Sequence, residues 1–127
     1  MSKTILIADD ELHIRALLEQ TLEDLEDVGV ELIVVANGQE ALDTIQAERP
    51  DLVFLDVMMP KLTGYQVCHQ TKNVLAIKDT FIVLLTAKGQ EADQKEGYES
   101  GADLYMTKPF DPDEVLAKAE EILGICV

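Results

Sequence analysis

Short apolar runs and helix-like segments alternate along the whole chain. The runs are TILIA (4–8), VELIVVA (30–36), DLVFLDV (51–57), TFIVLLT (80–86) and the weaker DLYMT (103–107). They are almost continuously apolar, as strands buried on both faces are, whereas a half-solvated strand alternates. Between the first two runs, Ile14, Leu17, Leu18, Leu22 and Leu25 recur at the spacing of one helix stripe. Ala41, Leu42 and Ile45 begin a second stripe, and Val115, Leu116, Ala119, Ile122 and Leu123 form a last one. Strands and helices in alternation predict a five-stranded, doubly wound α/β fold with a parallel sheet and helices on both faces.

Punctuation residues agree with this parsing. Thr63 before Gly64 predicts a capped helix over roughly 64–73, and Asp111 followed by Pro112 fits an N-cap with proline at the first helical position. Gly29 and Gly101 stand where helix C-terminal glycines belong. The segment GQEADQKEGYES (89–100) is the exception, with only Ala92 and Tyr98 as apolar anchors. A helix there is expected to be weakly held and therefore able to shift.

The 127 residues, 47% hydrophobic, suffice for one globular domain spanning 1–127. A net charge of −15 repels phosphate backbones and anionic lipid, so neither direct nucleic-acid binding nor membrane association is expected. No signal peptide or membrane span is recognisable, and Cys68 and Cys126 show neither disulfide nor metal spacing. The expectation is a soluble, cytoplasmic protein.

Ligands of open parallel sheets bind beyond the carboxyl ends of the strands. In this chain the first strand ends in Asp9-Asp10, the third in Asp56, the fourth in Thr86 and the fifth in Lys108-Pro109. Asp9-Asp10 could merely cap the first helix and Lys108 merely pair with an aspartate, but the conjunction says more. Two carboxylates about 4 Å apart repel by roughly 4 kcal/mol at an effective dielectric of 20, and one lysine does not offset three of them. Such a site calls for a divalent cation, and all-oxygen ligands point to Mg²⁺. His13 and His69 fall on helices as surface residues. A carboxylate beside Mg²⁺, an ammonium and a hydroxyl suits formation of an aspartyl phosphate.

The motifs ILIADDE, PDLVFLDVMMPKLTGYQVC, IVLLTAKG and GADLYMTKPF, in this order and spacing, resemble the receiver domains of two-component response regulators over essentially the whole length. The resemblance implies flavodoxin-like topology with strand order 2-1-3-4-5. It makes Asp56 the phosphoacceptor and assigns Mg²⁺ to Asp10, Asp56 and the carbonyl of Met58, with Asp9 assisting through water. Thr86 and Lys108 would hold phosphoryl oxygens, and Tyr105 matches an aromatic that turns inward in the active state. Lys108-Pro109 matches a bond usually cis in the family, against about 5–6% of X–Pro bonds in general. Leu104 and Ser100 depart from common family residues without touching the chemistry, while Met58 and Lys88 flank the attack path.

The implied activity is a switch that catalyses only its own phosphorylation and dephosphorylation, not an enzyme acting on other substrates. A sensor histidine kinase, a phosphotransfer protein or a small acyl phosphate would be the donor. The face spanning about 90–123 would then bind a downstream protein or an attached output domain, or form a phosphorylation-dependent dimer. Three other readings compete. An aspartate-based, Mg²⁺-dependent phosphatase of the haloacid dehalogenase type wants a second acid where Met58 stands. A flavodoxin wants a Gly/Ser/Thr-rich turn where DDELH stands. A receiver-like scaffold that takes no phosphate would not need the complete residue set. Cognate kinase, output, and whether the receiver stands alone or within a longer protein are not legible.

Overall fold

A computed structural model describes residues 3–87 and 101–125. The predicted 89–100 helix, Lys88, Ser100 and Cys126 lie outside the described residues. In chain order the elements are β1 (Lys3–Ala8), α1 (Leu12–Leu22), a 3₁₀ turn (Glu23–Val28), β2 (Val30–Val35), α2 (Gly38–Glu48), β3 (Leu52–Asp56), α3 (Gly64–His69), a wide turn (Gln70–Val74), β4 (Phe81–Ala87), β5 (Leu104–Lys108) and α4 (Pro112–Leu123). All strand pairings are parallel, in the order β2-β1-β3-β4-β5. No helix among the described residues is long and apolar enough to cross a membrane.

The unbroken apolar runs follow from having a core on each face. Side chains of a strand alternate between faces, so burial on both sides requires every position to be apolar. On one face Leu6, Ala8, Val53, Leu55, Ile82 and Leu84 meet Ala41 and Ile45 of α2 and Val67 and Cys68 of α3. On the other, Ile5, Ile7, Phe54, Val83 and Leu85 meet Leu18 and Leu22 of α1 and Val115, Ala119 and Leu123 of α4. Burying one such aliphatic or aromatic side chain contributes roughly 1.5–3 kcal/mol.

Local signals place the element ends. Thr63 accepts a hydrogen bond from the Gln66 N–H while the Gln66 side chain accepts one from Thr63 N–H, a reciprocal cap that starts α3. Asp111 caps α4 with Pro112 in the first turn. Gly29 and Gly101 adopt positive φ of 95° and 103°. Two details differ from the sequence-based parsing. Leu25 continues the apolar stripe of α1 but sits in the 3₁₀ turn, still fully buried. The helix expected over 64–73 widens after His69 into a π-type turn in which Leu75 N–H donates to Gln70 O at 2.8 Å.

That wide turn carries Lys72, whose buried ammonium lies 3.0 Å from the Asp103 carboxylate and also donates to the carbonyl of Thr80. Asp103 in turn accepts the Ile82 N–H at 2.8 Å. The cluster ties α3 to the starts of β4 and β5, at the sheet edge opposite the acidic residues. A polar group survives there because its hydrogen-bonding demands are met.

The order β2-β1-β3 sends the chain from β1 to one side through α1 and later to the other side through β3. The crevice between the carboxyl ends of β1 and β3 is the topological switch point of such a sheet. Asp9 and Asp10 follow β1, and Asp56 ends β3.

Candidate functional site

The predicted residues converge at that crevice. One carboxylate oxygen each from Asp9, Asp10, Glu11 and Asp56 lies within 4.8 Å of the others. Asp9 and Asp56 are buried, while Asp10 and Glu11 are exposed at the rim. The Lys108 ammonium reaches over from β5, 2.8 Å from Asp9 Oδ2, 3.3 Å from Asp56 Oδ1 and 3.7 Å from Glu11 Oε1. Met58 N–H points to Asp56 Oδ1 at 3.4 Å, and its side chain is 59% exposed beside the site.

Asp9 is held from two further directions. Its Oδ1 accepts the Glu11 N–H at 2.9 Å, and its backbone carbonyl accepts from Arg15 Nη1 at 2.8 Å. The helix-capping alternative therefore holds only in part. Asp9 shapes the turn into α1 while its second oxygen serves the lysine, and the cap position itself is Glu11, which makes no side-chain cap bond.

Glu11 and Arg15 are the site residues that sequence reasoning missed. Glu11 adjoins Asp9-Asp10 in the ILIADDE motif, but its side chain is brought to the site only by the turn into α1, and Arg15 reaches the Asp9 carbonyl rather than Glu11. His13 and His69 are exposed, as expected, and neither is among the clustered ligand atoms, although His13 Nε2 lies 3.4 Å from Glu11 Oε2 at the rim.

The electrostatics are unbalanced. The Lys108 ammonium pairs with three of the four clustered carboxylates, and repulsion between the buried Asp9 and Asp56 is on the order of 3 kcal/mol at an effective dielectric of 20, while the exposed Asp10 and Glu11 are screened by solvent. Burial, then the neighbouring Asp9 charge, push Asp56 up from 3.8 to about 7, although Lys108 acts in the opposite direction. Burial alone would lower Lys108, but the Asp9 and Asp56 carboxylates outweigh it and raise the ammonium above its ordinary value. These are the conditions under which a hard divalent cation binds: oxygen donors, excess negative charge and a partly open rim.

Thr86, near the end of β4, is fully buried, and its Oγ1 has no hydrogen-bond partner among the described residues. An orphaned buried hydroxyl costs roughly 1–3 kcal/mol and invites a polar visitor. Thr86 stands opposite Thr107, and Leu84 opposite Tyr105, in the β4–β5 register. Tyr105 is half-buried against the α2/α3-side core, and its hydroxyl donates to the Tyr65 hydroxyl at 3.0 Å. The Lys108–Pro109 peptide is cis, in agreement with the sequence-based expectation.

Three comparisons bear on this arrangement. The family model for the response regulator receiver domain matches residues 5–120. The chain is 46% identical over 123 residues to the alkaline phosphatase synthesis transcriptional regulatory protein PhoP of Bacillus subtilis, covering 97% of this chain and 49% of that protein. It is 38% identical over 121 residues to response regulator Rre1 of Synechocystis, covering 95% of this chain and 52% of that one. The chain thus spans about half the length of these curated relatives. Among solved structures, the chemotaxis response regulator CheY4 of Vibrio cholerae superposes with a TM-score of 0.83 at 31% identity, covering 96% of this chain and 99% of that one.

Proposed function

The chain belongs to the response regulator receiver domain family, and from that premise we propose that it is a two-component signalling switch whose Asp56 accepts a phosphoryl group. The observation that carries the reading is the Lys108 ammonium shared between Asp9 and Asp56, together with the buried Thr86 hydroxyl at the end of β4, which has no hydrogen-bond partner among the described residues. A carboxylate oxygen of Asp56 forms a bond to phosphorus as the bond from phosphorus to the donor breaks. The electron pair of that bond leaves with the imidazole of a phosphohistidine or with the carboxylate of an acyl phosphate.

The acidic cluster fits Mg²⁺, which Asp10, Asp56 and the Met58 carbonyl would hold with Asp9 assisting. When bound, the ion offsets the surplus carboxylate charge and the charge on the transferring phosphoryl oxygens. Lys108 exchanges part of its contact with Asp56 for a phosphoryl oxygen, and the Thr86 hydroxyl donates to another, ending its isolation. As Thr86 moves toward the phosphoryl group, Tyr105 follows into the vacated space, and the surface around β5 and α4 changes shape.

On this reading the chain turns over no substrate other than its own phosphorylated form. Its donor is a sensor histidine kinase, a phosphotransfer protein or a small acyl phosphate. The altered face engages a downstream protein or output domain, or a second copy of the chain. Its charge of −15 favours protein partners over direct contact with nucleic acid. Incubation with acetyl phosphate and Mg²⁺ is expected to add one phosphoryl mass to the wild type and none to Asp56→Asn. Equal labelling of both would refute the assignment.

A further inference from the structure

The first turn of α3 connects Asp56 to Tyr105 by a route that does not pass through Thr86. Gly64 N–H donates to Val57 O at 2.8 Å, one residue beyond Asp56. A Cβ placed on Gly64 would lie 2.4 Å from the Asp56 carbonyl oxygen and 2.9 Å from Val57 Cα. The helix start therefore rests directly on the backbone that carries the acidic side chain. The next residue is Tyr65, whose hydroxyl accepts the hydrogen bond from Tyr105. The reciprocal Thr63–Gln66 cap fixes the start of the turn that carries Tyr65.

Both rings pack against the same core cluster, and Tyr105 lies on the strand face that Leu84 and Thr86 share across the register. Tyr105 is thus neighboured on two sides: by the β4 face that carries Thr86, and by the Tyr65 hydroxyl at the start of α3. We propose that Tyr65 is a positioning residue that holds Tyr105 in its core-packed position through the hydroxyl pair, so that the unphosphorylated chain already samples the switched arrangement. The inference rests on the phosphoacceptor reading above. It adds a second coupling route, and by linkage whatever favours the packed Tyr105 also favours the phosphoryl group at Asp56.

Phenylalanine at either position keeps the ring and removes the hydroxyl. Isothermal titration of the full chain with beryllofluoride in Mg²⁺ would compare wild type, Tyr65→Phe, Tyr105→Phe and the double variant. Thermal unfolding and amide NMR spectra would verify an intact fold in each. Loss of one neutral hydrogen bond is expected to weaken beryllofluoride binding roughly two- to tenfold in each single variant. The double variant is expected to lose no more than the weaker single one, because both remove the same bond. Tyr65→Phe binding as tightly as wild type, or losses that add in the double variant, would overturn the inference and leave the phosphoacceptor reading standing. A wild type that takes up no beryllofluoride would overturn that reading, and the inference with it.

Discussion

Replacing Asp56 with asparagine will stabilise the metal-free protein, and the gain will depend on pH. Asp56 has an ordinary carboxyl value of 3.8 when unfolded and is pushed to about 7 in the fold, first by burial and then by Asp9. Between those values the native chain holds a proton that the unfolded chain has released, so stability falls as pH rises from about 4 to about 7 and is level above that. At 1.36 kcal/mol per tenfold change in proton affinity, the gap corresponds to at most about 4 kcal/mol lost at pH 8. Asparagine is a neutral isostere of the protonated acid and removes this penalty. Urea unfolding followed by circular dichroism, with chelator present, is expected to show Asp56→Asn more stable than wild type by roughly 2–4 kcal/mol at pH 8, by less than half as much at pH 5, and nearly equal below about pH 4. Titrating groups away from the site cancel in the difference. Restoring Mg²⁺ at about a hundred times its dissociation constant returns about 2.7 kcal/mol to the wild type at pH 8 and less to the variant. A stability difference that does not change between pH 5 and pH 8 would refute the electrostatic account of the site.

Further outcomes follow from the same geometry. Lys108→Met leaves Asp9 and Asp56 buried without their cation and will cost roughly 3 kcal/mol at pH 8, with Asp56→Asn on the same chain recovering part of it in the same assay. Gly64→Ala forces a methyl group onto the Asp56 carbonyl and is expected to lower stability by about 1–3 kcal/mol, with loss of acetyl phosphate labelling read by intact mass. Lys72→Met leaves the Thr80 carbonyl without its buried donor, while Asp103 stays solvated and bonded to the Ile82 N–H, and will cost about 1–2 kcal/mol by urea unfolding, with the mass-labelling yield of the folded chain unchanged. Thr63→Ala removes the cap of α3 and will cost about 1 kcal/mol.

Neighbours along the chain decide one part of this architecture, and distant contacts decide the rest. The five strands, their two-sided burial, the Thr63 and Asp111 caps and the glycines with positive φ were determined by residues within a few positions of one another. Periodicity and capping are local physics, and a short apolar run such as LVFLD between turn residues reads as a strand buried on both faces. The strand-end positions of Asp9, Asp10, Asp56, Thr86 and Lys108 were legible for the same reason, because a parallel sheet gathers all its carboxyl ends at one edge. The tertiary structure alone decided which oxygens Lys108 contacts 99 residues away, that Glu11 joins the cluster, and that Arg15 braces Asp9. It also decided the pairing of Tyr65 with Tyr105 and of Lys72 with Asp103, across 40 residues in the first case. Such pairs depend on strand register and on how far each helix is rotated against the sheet, and those quantities are set by the packing of the two cores together, not by any short stretch of chain.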